Sequence, residues 1–183
     1  MTGLRKPQLF SMNDYLQVEQ HAKLRHEFVE GQVFAMAGAS ACHNRICIRA
    51  LMALEPLALA KGCQSFMADM KLRVRDSVYY PDLMVICDTN DTDPLIKSTP
   101  CLIIEVLSES TERSDRTEKL QAYQNIPTLK NYLLVAQDAR RVELYRRSGL
   151  AWRYESFIEQ GEIALDCPTG VLTLGQIYDG VLA

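Results

Sequence analysis

Two stretches decide how this chain folds: Tyr80-Pro81-Asp82-Leu83-Met84-Val85-Ile86 and Cys101-Leu102-Ile103-Ile104-Glu105-Val106-Leu107-Ser108. Each is an apolar, strand-like run that carries a single carboxylate. Burying a charge in such a run is expensive unless a metal, an opposite charge or water compensates it, so something positive is expected between Asp82 and Glu105. Side chains alternate along a strand, which puts Ile103, Glu105 and Leu107 on one face and Ile104 and Val106 on the other. With Asp82 opening the neighbouring strand, the two carboxylates converge near the edge of a sheet, as hard oxygen ligands for Mg²⁺ or Mn²⁺ would.

Downstream of Glu105 come Ser110-Thr111 and then Asp115, Lys119 and Tyr123, each four residues from the last and so stacked on one face of a helix. Taken alone, Asp115 and Lys119 read as an exposed pair one turn apart, worth about 0.2 to 0.5 kcal/mol. Placed after two strand carboxylates, Lys119 becomes a candidate cation for the same site. Ser108, Ser110 and Thr111 are read as caps of the helix that follows, and Tyr123 as core packing with its hydroxyl near the site.

The rest of the chain supplies an α/β frame. Ser11 caps a short helix reaching about residue 19. Residues 25–37 alternate around Glu30-Gly31 as a hairpin. Residues 43–60 carry Ile46, Ala50, Leu51, Leu54, Leu57 and Ala58 at helical spacing, with Pro56 predicting a kink and Gly62 following the end. Strands are expected over 64–67, 69–75, 79–87, 101–107, 130–136, 141–147 and 151–158, with a second helix over 114–125 before Pro127. Residues 88–94 are too hydrophilic to bury and form a loop. No linker or repeat divides the chain, so residues 1–183 are expected to form one domain.

The combined string, Pro-Asp with an apolar strand, Glu-Val-Leu-Ser-x-Ser-Thr, then Asp-x-x-x-Lys-x-x-x-Tyr, resembles the Uma2 family of the PD-(D/E)XK restriction-endonuclease-like superfamily, abundant in cyanobacteria. His26-Glu27-Phe28-Val29-Glu30-Gly31-Gln32-Val33 is similar to that family's N-terminal segment, and His43 opens the next helix as it does in family members. The likeness spans roughly residues 10 to 150. It implies a restriction-endonuclease-like core, an α/β mixed sheet with flanking helices and extra N- and C-terminal strands. It also implies a metal-dependent endonuclease that hydrolyses nucleic-acid phosphodiesters, with DNA the expected substrate and Mg²⁺ or Mn²⁺ the cofactor. The implied site is Asp82 and Glu105 as metal ligands, Lys119 beside the nucleophile, and Glu27 and His43 as further members. One departure stands out: the superfamily places a lysine two residues after the acid, and here that residue is Leu107, so the resemblance implies that Lys119 has taken over from the helix. Asp69, before a strand, is a weaker candidate whose ordinary reading is a turn residue. The rival reading is a binding module for nucleic acid or protein on the same fold, inactive or redirected.

Bulk properties bound these readings. The chain has 183 residues, 48% of them hydrophobic, enough for a core of its own. No apolar run reaches the roughly 18 residues that cross a bilayer, and no signal-like segment follows the N-terminus, so a soluble, cytoplasmic protein with no membrane partner is expected. The net charge of −3 argues mildly against a nucleic-acid partner. Residues 113–147, with eight basic against four acidic side chains, soften that objection. Six cysteines without a Cys-x-x-Cys motif read as small buried hydrophobes in a reducing compartment rather than as disulfides or zinc ligands. Alternating Tyr145, Trp152, Tyr154 and Phe157 lead us to expect a homodimer. Gly38-Ala39-Ser40-Ala41-Cys42 is not a hydrolase elbow, and the phosphate-loop, dinucleotide and His-Glu-x-x-His motifs are missing, which sets aside kinases, dehydrogenases and zinc peptidases.

Overall fold

A computed structural model describes residues 10–182. Helix α1 (Met12–Glu19) starts at Ser11, whose hydroxyl accepts from the Asp14 N–H. Strands β1 (His26–Val29) and β2 (Gln32–Ala35) follow as a hairpin, and its two turn residues, Glu30 (φ 48) and Gly31 (φ 84), both take the left-handed backbone that a tight two-residue turn requires. Helix α2 (Ala41–Leu59) is capped by Ser40 and runs through Pro56 in its last turns.

Next come β3 (Gln64–Met67), β4 (Lys71–Val74), β5 (Ser77–Tyr79) and β6 (Leu83–Ile86). The strand expected over 79–87 is thus broken at Tyr80-Pro81-Asp82. Proline has no N–H for a ladder, and there the chain leaves one sheet for another. After β7 (Ile96–Lys97) and β8 (Pro100–Leu107), the single helix expected over 114–125 is two pieces, α3 (Glu112–Arg116) and α4 (Glu118–Gln124). Thr117 between them is non-helical (φ −124, ψ −83), and its hydroxyl donates to the Arg113 carbonyl at 2.6 Å, competing with the backbone ladder. The chain closes with β9 (Asn131–Ala136), β10 (Arg141–Ser148), β11 (Ala151–Ile158), the hairpin β12 (Glu162–Asp166) and β13 (Thr169–Thr173), and α5 (Leu174–Tyr178). These last three elements lie beyond the strands expected from the sequence pattern.

One sheet has the order β2-β1-β5-β4-β7, a second the order β11-β10-β9-β8-β6-β3, and β12 and β13 form a two-stranded third. In the second, β8 is antiparallel to β6 but parallel to β9, so the sheet is mixed. Strand β8 is buried along its whole length, which explains its unbroken apolar run. Leu102, Ile104 and Val106 pack with Ile46, Ala50 and Leu54 of α2. Ile103 and Leu107 pack on the opposite face with Tyr123, Leu129 and Tyr132. A buried aliphatic side chain contributes about 1.5 to 3 kcal/mol, so clamping β8 between two helical layers fixes the strand that carries Glu105.

The cysteine expectation is corrected here. Cys63 is paired with Cys87 and Cys101 with Cys167 as disulfides, leaving Cys42 and Cys47 free. Strand register is the reason: Gln64 lies opposite Ile86, so the residues just beyond them, Cys63 and Cys87, face each other. A 24-residue sequence separation gives no hint of that.

Candidate active site

Asp82 stands at the corner where the chain passes from β5 to β6. The register pairs Leu83 with Ile104, which sets Asp82 beside Glu105 on the next strand, and the Asp82 N–H donates to Glu105 Oε2 at 3.2 Å. Asp82 Oδ2 accepts from the Val106 N–H at 2.7 Å and contacts His43 Nε2 at 3.1 Å. His43 sits in the first turn of α2, its N–H bound to Ser40. Burial works against a charged imidazole, yet Asp82 outweighs it and holds His43 above its ordinary pKa.

Lys119 is the positive group expected near the carboxylates. Only 4% exposed, it reaches from the first turn of α4 to Glu105 Oε1 at 3.3 Å, Glu27 Oε1 at 3.0 Å and Asp115 Oδ1 at 3.2 Å. Asp115 Oδ1 is held by charge alone, without an aligned hydrogen bond. Burial opposes the ammonium, but Glu105, Glu27 and Asp115 together push it well above the usual lysine range. Burial likewise raises Glu105 well above the usual carboxylate range, with Lys119 pulling the other way. Tyr123 donates to Glu105 Oε1 at 2.9 Å from the floor of the site. The pair Asp115–Lys119 is therefore no surface salt bridge. It is the buried link between the two helix pieces.

The structure thus brings Asp82, Glu105, Lys119, Glu27 and His43 together, and it leaves two other expectations apart. Asp69 is exposed and bound to Arg25 on the rim. Thr111 precedes α3 without a side-chain capping bond, while the Ser108 hydroxyl contacts those of Ser110 and Thr111 and the Ser108 carbonyl accepts the Glu112 N–H. Leu107, in the superfamily's lysine position, is core, packed with Ile103 and Tyr132.

Some members of the site were not foreseen. The Cys47 thiol, one turn after His43, lies 3.6 Å from His43 Nδ1, and burial pushes it up. Buried Glu19 accepts from the Tyr80 hydroxyl at 3.0 Å and contacts His26 Nδ1 at 3.0 Å, tying α1 to the wall of the site. Their spacing of 61 and 7 residues carries no periodic signal. Above the cluster opens a cavity of about 570 Å³ between the β1–β2 hairpin, the start of α2 and the Ser108–Thr111 loop.

The donor set fits a divalent cation. Four carboxylates, those of Glu27, Asp82, Glu105 and Asp115, gather around one ammonium and one imidazole, and among the described residues Asp82 Oδ1 accepts no hydrogen bond. That surplus of acid, with a carboxylate oxygen to spare beside a cavity, is what an oxygen-liganded ion would neutralise.

A mixed sheet between helical layers, with carboxylates from adjacent strands meeting a helix lysine, is a restriction-endonuclease-like fold. The model of the Uma2 family, described as "Putative restriction endonuclease", matches residues 12–173, and the chain belongs to that family. Two Synechocystis proteins, the "Uncharacterized protein sll1609" and "Uncharacterized protein slr1290", are 39% and 38% identical to it over 142 and 146 residues. The matches cover 74% and 75% of this chain and 80% and 74% of those proteins. A crystal structure from Anabaena variabilis, described as "a putative nuclease belonging to DUF820", shares the fold with a TM-score of 0.74 at 17% identity, over 94% of this chain and 99% of that one.

Proposed function

We propose that the chain is a single-domain, metal-dependent endonuclease hydrolysing phosphodiester bonds of nucleic acid, with DNA as substrate. The observation that supports it most is the meeting of Asp82, Glu105 and Lys119 under one cavity, in a family described as "Putative restriction endonuclease". Asp82 and Glu105 would hold Mg²⁺ or Mn²⁺. Such an ion, when bound, polarises a phosphoryl oxygen and acidifies a water. The chain's own residues do the positioning. Tyr123 and the Asp82 N–H fix the Glu105 carboxylate, while His43 and the Val106 N–H hold Asp82 by Oδ2 alone. Lys119 keeps its charge at neutral pH because three acids surround it. A cation fixed there steadies developing negative charge without reorganising.

Mn²⁺ titration by calorimetry and cleavage of plasmid DNA test the reading together. Asp82→Ala and Glu105→Ala are each expected to abolish Mn²⁺ binding. Lys119→Ala should lower turnover by about two powers of ten, roughly 3 kcal/mol, with little change in Mn²⁺ affinity. Undiminished Mn²⁺ affinity in an acid variant removes that residue from the site.

One observation favours a second reading, a binding module on the same fold. Lys119 is already committed to three ion pairs, and no lysine stands at Leu107. Duplex binding without cleavage in Mn²⁺ would select it. We further propose that the protein works in the cytoplasm as a homodimer. Strand β11 ends its sheet with Tyr154 and Ile158 exposed, and among the described residues no helix is long and apolar enough to cross a membrane. A monomer mass by light scattering at micromolar concentration would refute the dimer.

A further inference from the structure

The second cluster of ligating side chains lies at the far end of β6 and β8. Cys63 and Cys87 extend the β3–β6 ladder by one residue each, Cys101 is the second residue of β8, and Cys167 stands in the turn between β12 and β13. The sulfurs of Cys87, Cys101 and Cys167 meet, and Cys63 joins them through its bond to Cys87. Beyond the two disulfide links, Cys87 Sγ lies 3.3 Å from Cys167 Sγ and 3.6 Å from Cys101 Sγ. In a tetrahedral zinc tetrathiolate with zinc–sulfur bonds of about 2.3 Å, neighbouring sulfurs are about 3.8 Å apart. The two contacts that Cys87 makes across the pairs are close to that edge, and Cys63, once released from Cys87, is the neighbouring thiolate that would turn in as the fourth ligand.

We infer that these four cysteines, once reduced, form a single tetrathiolate site that binds one zinc ion. Reduction of each disulfide yields two thiols: a thiol reductant gives two electrons and two protons and becomes a disulfide, whereas a phosphine gives two electrons and becomes its oxide, with water supplying the oxygen and the two protons. Binding of Zn²⁺ then displaces the four protons as the thiolates form. The donor type selects the metal: soft sulfur favours zinc over the magnesium or manganese of the carboxylate site. Cys63 and Cys101 are buried, and Cys87 forms part of the wall of a second cavity of about 300 Å³ with Gly62, Asp88 and Lys97, which gives an ion a way in.

The surroundings hold the ligands in place. Buried Asn131 accepts from the N–H groups of Asp166 (2.9 Å) and Cys167 (3.4 Å), shaping the turn that presents Cys167. Asp166, the nearest acid in that turn, is engaged by Arg146 at 2.7 Å rather than left beside the thiolates. A zinc ion there would rivet the β12–β13 hairpin to the central sheet across the 66-residue separation of Cys101 and Cys167.

The test uses the full chain, reduced with a phosphine, stripped with a chelator, desalted under anaerobic conditions and titrated with Zn²⁺ or Co²⁺. About one ion per chain is expected, and Co²⁺ should give the intense visible bands and thiolate charge transfer of a tetrahedral sulfur site. Cys101→Ser and Cys167→Ser should lose both, and Cys42→Ser, outside the cluster, should keep both. The wild-type Co²⁺ spectrum decides the matter even if a serine variant fails to fold. Any of four results overturns the inference: no ion retained by the reduced chain, a weak octahedral oxygen-type spectrum, zinc content unchanged in a folded Cys101→Ser or Cys167→Ser chain, or disulfides that persist under reductant in the native protein.

Discussion

The two ends of one strand pair make opposite sites. Asp82 and Cys87 flank β6, about 17 Å apart by strand rise, and Glu105 and Cys101 lie on β8 in the matching order. At the first end, oxygen donors from two strands meet a lysine and a histidine carried in by helices. At the second, sulfur donors come from strands and a turn alone. The difference lies in what compensates the charge. Buried carboxylates hold their charge only beside a cation, and at the oxygen end Lys119 is that cation. Paired as disulfides, or reduced to thiols that still carry their protons, the sulfurs are uncharged, so the sulfur end needs no cation to fold.

Removing that resident cation should therefore have the largest effect. Lys119→Met leaves buried Glu105 and Asp115 together with half-buried Glu27 and is expected to cost about 3 to 5 kcal/mol by urea denaturation, part of it recovered in Mn²⁺. If the variant is as stable as the wild type, the carboxylates are protonated in the folded chain and the oxygen end is not a charged cluster.

Exchanging metals sharpens the contrast. Glu105→Gln should weaken Mn²⁺ binding by at least a hundredfold, about 2.7 kcal/mol, while leaving the zinc content of the reduced chain unchanged. Cys167→Ser should do the reverse. If either variant lost both metals, the two ends would share one site or one unfolding event.

Tyr123→Phe removes one buried hydrogen bond to Glu105 and keeps the ring in its edge-to-face contacts with Tyr79 and Tyr132. It should cost about 1.5 to 2 kcal/mol, read from the denaturation midpoint, more than the same change makes at exposed Tyr154. The smallest effect belongs to Asp69, whose exposed pair with Arg25 lies outside the cluster. Asp69→Ala should stay within about 0.5 kcal/mol in stability and leave Mn²⁺ affinity as it was.

What the sequence determined by itself was the oxygen end. Two apolar runs with one acid each, strand alternation around Glu105, and the four-residue steps from Asp115 to Tyr123 are local signals, because a strand's period and a helix's turn are properties of neighbouring residues. Those signals put Lys119 and Tyr123 on one face, and the family resemblance implied the place of Lys119 beside Glu105, even though Thr117 interrupts the helix on which the spacing was read. The remainder depends on contacts between residues far apart in the chain. Pro81 divides the strand between two sheets, Glu27 arrives from a hairpin 53 residues before Tyr80 to accept its N–H, and Glu19 closes on Tyr80 across 61 residues. The cysteines make the point most sharply. Cys63, Cys87, Cys101 and Cys167 share no periodicity, and what joins them is the register of β3 on β6 and of β6 on β8, together with a turn that Asn131 holds in place. Register is fixed by which faces are buried against α2 and α4, and that depends on the whole core at once.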